Sequence, residues 1–141
     1  MNKRIGVMVP LRAQGDIFRE LTEFGLGTCQ LVSWDEKIWT DELAARVKKE
    51  IAARGVHVTS FWAGYPGPSH WNFTEGPSVL GIVPESYRAV RVAALKKGAD
   101  FAHKIGLPAI ITHLGFIPEN PGDPALPGVV ERYRQSQLAA A

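Results

Sequence analysis

Three times along this chain a glycine separates the end of an amphipathic run from the start of a short apolar run: Phe24-Gly25-Leu26, Arg54-Gly55-Val56 and Ile105-Gly106-Leu107. A helix commonly exits through a left-handed residue, and glycine takes that conformation without the steric penalty of a side chain. The repeat therefore predicts a unit of strand, helix and glycine exit, used several times in succession. Residues 5–9, 28–34, 56–62 and 109–114 read as four short strands rich in apolar and β-branched residues. Between the first two, Asp16 opens a short helix with Ile17, Leu21 and Phe24 on one side. Thr40 is a predicted N-cap, with Asp41 and Glu42 at the positive end of the next helix and Leu43, Val47 and Ile51 as its buried stripe. A longer helix starts near Pro84, with Val92, Leu95, Ala99, Ala102 and Ile105 on one face and Arg91, Lys96, Asp100 and Lys104 largely away from it.

Alternating strands and helices define an α/β chain with a parallel sheet. The 141 residues read as one domain, residues 1–141, with a tail that departs from the pattern from about residue 127. Its last helical stretch, 129–141, has no clear apolar stripe. Four parallel strands in sequential order carry all their helices on one face and leave two edges open. Val7, Val9, Leu31, Val32, Val58, Ile110 and Ile111 are nevertheless apolar on both faces of their strands. Two arrangements cover the second face. Either two copies associate as a homodimer that closes an eight-stranded barrel, the favoured reading, or the chain rewinds with helices on both faces in a flavodoxin-like order.

Composition excludes several classes of partner. The 16 basic and 14 acidic residues are scattered and sum to +2, with no block that tracks a phosphate backbone, so no nucleic acid is expected. No apolar run approaches the roughly 20 residues that span a bilayer, so no membrane is expected and the location reads as cytoplasmic. The lone cysteine, Cys29, sits in an apolar strand and reads as packing. Asn72-Phe73-Thr74 matches a glycosylation acceptor by chance, without a secretory signal beside it. Four histidines without short ligand spacing and carboxylates mostly on helices assemble no metal signature, and no phosphate loop or nucleophile elbow is present.

The segments 28–34 (Thr-Cys-Gln-Leu-Val-Ser-Trp), 59–64 (Thr-Ser-Phe-Trp-Ala-Gly), 66–73 (Pro-Gly-Pro-Ser-His-Trp-Asn-Phe) and 111–116 (Ile-Thr-His-Leu-Gly-Phe) resemble the xylose isomerase-like TIM-barrel superfamily, especially its sugar phosphate isomerases and epimerases. The resemblance runs from about Lys3 to about Pro124 and covers the N-terminal half of such a barrel. It implies a (βα)4 half-barrel, and it implies that Trp34, Trp62 and His113 line a sugar pocket at the C-terminal ends of strands two, three and four. The family's divalent metal and its proton-transferring glutamates come from the later strands, so no cofactor is evident in this half and its enzymatic status stays open.

Read on its own chemistry, His113 ends the fourth strand at the rim where barrel sites are built, or else it satisfies a neighbouring strand-end carbonyl. His70 and Trp71 lie in a long connection after the third strand that reads as a lid or binding loop; its aromatics either stack on a sugar or pin the loop to the core. Trp34 and Trp62 are sugar platforms or core filler. His57 and His103 read as structural or solvated, and Glu75 and Glu119 as plain exposed loop carboxylates. The expected function is a homodimer with a residual sugar-binding mouth and little or no catalysis. The alternatives are an active metal-dependent isomerase or epimerase rebuilt around Glu75, Glu119 or Asp123, and a non-catalytic partner of a separately encoded second half.

Overall fold

A computed structural model describes residues 5–123, 127, 128 and 131. The elements run β1 (Val7–Pro10), α1 (Arg19–Phe24), β2 (Thr28–Ser33), a 3-10 turn (Glu36–Ile38), α2 (Asp41–Arg54), β3 (His57–Ala63), α3 (Gly76–Val79), α4 (Glu85–Lys104) and β4 (Ile110–Ile111). All strands are parallel and lie in the order β1-β2-β3-β4. A flavodoxin-like sheet doubles back past its first strand, so the sequential order removes the rewound alternative. The three glycine exits hold: Gly25, Gly55 and Gly106 have φ of 61°, 63° and 84°. Thr40 caps α2, its hydroxyl accepting the Leu43 amide at 3.2 Å. The helix expected over 129–141 falls, but for Glu131, outside the described residues.

One sheet face carries the core. Val9, Leu31 and Phe61 share a register row with Ile110 and pack with Leu43, Val47, Phe101 and Ile105 from the helices. The next row, Pro10, Val32, Trp62 and Ile111, points to the opposite face because side chains alternate along a strand. That face is open among the described residues: Met8 is 58% and Ile111 45% exposed. It also holds a polar pair, Gln30 Nε2 donating to Ser60 Oγ at 2.9 Å.

Three details differ from the sequence reading. Phe24 is exposed and Phe18 fully buried, because Asp16 accepts the Phe18 amide in a turn and α1 starts only at Arg19. The buried stripe of α4 is rotated to Arg91, Ala94, Gly98, Phe101 and Ala102. Gly98 explains the rotation, since a Cβ there would stand 2.7 Å from the Ala63 Cβ and the helix closes on β3 along its smallest residues. Strand β4 is only two residues long, because beyond it the Leu114 carbonyl accepts the amides of Ile82 and Val83 rather than extending the ladder.

Candidate functional site: an aromatic mouth at the strand ends

The C-terminal ends of the parallel strands deliver the candidate side chains to one end of the sheet. Trp34 follows the last residue of β2, Trp62 is the penultimate residue of β3, Tyr65 lies just beyond it, and His113 follows β4 by two residues. The connection 64–84 adds Trp71. The rings form one constellation: Trp34 lies 6.5 Å from Trp62, 5.1 Å from Tyr65 and 6.1 Å from Trp71, centroid to centroid. Trp71 stands 6.4 Å from Trp62 and 4.7 Å from His113. Most of these contacts are edge-on, the arrangement the ring quadrupole favours. Trp71 is 54% and Trp34 37% exposed, so the constellation opens to solvent.

Close backbone approaches seat the rings. The Trp34 indole lies on Gly64, where a Cβ would meet Cδ2 at 2.4 Å. Segment 80–83 crosses the exit of β4 so tightly that a Cβ on Gly81 would stand 2.0 Å from the Leu114 carbonyl oxygen, at a φ of 76° that already favours glycine. His113 Nδ1 accepts the Gly115 amide at 3.0 Å. A backbone amide can only donate, so the proton of the neutral imidazole sits on Nε2. The Trp62 Nε1–H is buried and has no hydrogen-bond partner among the described residues.

His70 is not part of the ring constellation. Its Nδ1 faces Glu75 Oε1 at 3.3 Å, and Glu75 is held in turn by Asn72 Nδ2 at 3.0 Å. The Asn72 side chain also accepts the Thr74 and Glu75 amides. Glu75 and Glu119 are both exposed, and Glu75 is partnered as well. His57 and His103 are exposed on β3 and α4. Burial pushes the Cys29 thiol up to about 11, in keeping with a packing role. Among the described residues no group of three or more His, Cys, Asp or Glu side chains stands close enough to hold a metal ion. The ring recorded against His113 is Trp71, and no carboxylate cluster stands with it among the described residues, so these residues by themselves do not fit the divalent metal implied by the resemblance.

Two residues that the sequence reading missed complete the site. Tyr65 is buried, braces Trp34 and accepts the Gly81 amide on its hydroxyl at 2.8 Å. Arg91, read as facing away from the core, is fully buried beneath Tyr65. The only available signal for Tyr65 was an aromatic set between Gly64 and Pro66 at a strand end.

A parallel sheet in sequential order, helices on one face and side chains gathered at the strand ends define half of a βα barrel. Comparison with solved structures gives that half a more particular character. A xylose isomerase domain protein from Planctomyces limnophilus matches with a TM-score of 0.83 and 29% identity, over 96% of this chain and 48% of that one. A D-tagatose 3-epimerase-like protein matches with a TM-score of 0.57 and 10% identity, over 96% of this chain and 50% of that one. The 3-keto-D-glucoside 4-epimerase YcjR from E. coli matches with a TM-score of 0.51 and 16% identity, over 95% of this chain and 52% of that one. The chain has a xylose isomerase-like fold that is N-terminal-half-like, and it spans about half the length of these proteins. No family model and no curated protein matches the sequence.

Proposed function

We propose that this chain is the mouth-bearing half of a sugar-binding barrel, and that Trp34, Trp62, Trp71 and His113 hold a monosaccharide without catalysing its isomerisation. The ring constellation at the strand ends carries the reading. A sugar presents apolar C–H faces and a rim of hydroxyls. Aromatic rings suit the first, and the His113 Nε2–H suits the second. The solved structures named for xylose isomerase and D-tagatose epimerase point to the same class of ligand.

The open sheet face takes a second copy of this chain. Support comes from the exposed Met8 and Ile111 on that face and from the matched structures, in which as much chain again accompanies the matched half. Pairing β4 of one copy with β1 of the other satisfies the backbone groups at both edges. Tryptophan fluorescence titrated with D-xylose and D-tagatose tests the mouth: saturable quenching that Trp71→Ala abolishes is expected, and no change with either sugar refutes it. Light scattering across a dilution series tests the dimer, and a monodisperse monomer overturns it. A conversion assay with added divalent metals tests the lack of catalysis, which any aldose–ketose turnover would sink.

A further inference from the structure

The connection 64–84 carries Trp71 into the mouth, yet its only regular element is the four-residue helix α3. Tyr65, Leu80 and Ile82 are buried along it but lie outside the main core cluster. Something other than the core must hold it in place. The Arg91 guanidinium, on the second turn of α4, donates from Nε to the Pro66 carbonyl at 3.1 Å and from Nη2 to the Pro68 carbonyl at 2.6 Å. Its Nη1 donates to the Val79 and Gly81 carbonyls at 2.6 and 2.5 Å. The two pairs of carbonyls flank Trp71 in the chain, so one planar cation ties together both ends of the segment that presents it. The guanidinium carbon also lies 4.6 Å from the ring centroids of Tyr65 and Tyr87. Tyr65 in turn braces Trp34.

We propose that Arg91 is the positioning residue of the mouth, fixing Trp71 over Trp34, Trp62 and His113 by clamping the 66–68 and 79–81 segments of its loop. Among the described residues no carboxylate accepts from Arg91. The clamp rests on backbone carbonyls and ring faces, which leaves the cation no stronger partner to which it could defect. A lysine supplies a point charge with three donors and cannot reproduce the fork.

The proposal deepens the sugar-binding reading, and its test is readable without a sugar. The full chain labelled with 5-fluorotryptophan gives a resonance for each of its four tryptophans, with Trp71 assigned from W71F. Trp39, packed on Phe61 and Phe101 in the core, is the internal control. In R91K the Trp71 resonance is expected to shift and broaden and the amides of Leu80, Gly81 and Ile82 to exchange about tenfold faster, the order expected from losing charged hydrogen bonds. Trp39 and the amides of β2 and β3 should stay as in the wild type. Equal disturbance of Trp39 and Trp71 would mean a general structural role and would overturn the proposal, as would an unmoved Trp71. Y87L, which removes one ring face from the half-buried side of the clamp, gives the same discrimination if R91K does not fold. Wild-type protein that binds neither D-xylose nor D-tagatose defeats the sugar reading alone, while the Trp71 signal still decides the role of Arg91.

Discussion

Replacing Gly64 by alanine tests whether the mouth is seated as described. The added Cβ would lie 2.4, 2.6 and 2.7 Å from Cδ2, Cγ and Cε3 of Trp34. Ordinary contact begins at 3.4 Å, so the indole must retreat by about 1 Å. Gly64 has no positive φ, and the hydrogen bond its N–H donates to the Ser33 carbonyl at 2.8 Å is available to alanine as well. The cost therefore falls on the ring. Trp34 is 37% exposed and has solvent to move into, but moving loosens its ring contacts with Tyr65, Trp62 and Trp71. Aromatic pairs contribute about 0.5–1.5 kcal/mol each, and overpacking typically costs about 1–3 kcal/mol, so G64A should lose about 2 kcal/mol. Urea unfolding followed by far-UV circular dichroism measures it, and the Trp34 fluorine resonance reports the displacement. The control is the same change in a W34A background, where the steric target is gone and G64A should cost almost nothing. If the full penalty persists without Trp34, the backbone at position 64 is the sensitive element and the seating of the ring has been misassigned.

Thr40→Ala removes the side-chain acceptor of the Leu43 amide and should cost about 1 kcal/mol with an unchanged urea m-value; an unaltered midpoint would deny the cap any role. Cys29 is 1% exposed with its thiol pushed up to about 11, so a disulfide reagent at pH 8 should label it only after urea unfolding, and rapid labelling of the native chain would contradict its burial. The Arg12 and Arg54 hydrogen bonds hold the Glu20 and Asp16 carboxyls below their usual range. Their contribution is present above the unfolded carboxylate range and is lost as pH falls through the depressed folded values, so the urea midpoint should be flat down to about pH 5 and decline below about pH 4. R12M should shrink that acid decline, and an identical profile would show that the pair carries no linkage.

How much of this was legible in the sequence depended on how local the cause is. The glycine exits and the Thr40 cap are set by residues within one turn, and both are found where the sequence places them. Trp34, Trp62 and His113 were legible as strand-end residues, because a parallel sheet gathers such positions at one end whatever the register. Arg91 was not legible, since its partners are four backbone carbonyls from 66 to 81 and a carbonyl leaves no mark on the residue that bears it. The same holds for β4, shortened because Leu114 gives its carbonyl to a loop whose path no periodicity encodes. In α4 the apolar count pointed to Val92 and Ala99, whereas close approach to β3 selected Ala94 and Gly98.

The open face of the sheet gives the strongest reason to regard this fold as half of a barrel. A face evolved for water would carry charged side chains at every second strand position, and one covered by helices would be continuously apolar like the row of Val9, Leu31 and Phe61. The open face is neither. Met8, Val32, Trp62 and Ile111 stand beside Gln30 and Ser60, which hydrogen-bond to each other across β2 and β3. A hydrogen-bonded polar pair among apolar residues is tolerated where side chains from several strands meet in layers, because each group meets part of the other's hydrogen-bonding need. The Trp62 ring at the top of this face belongs to both the interior and the mouth. Closing the sheet would therefore bury Met8 and Ile111 and stiffen the floor under Trp34, Trp62 and Trp71 in one step, which couples assembly of the barrel to the geometry of its site.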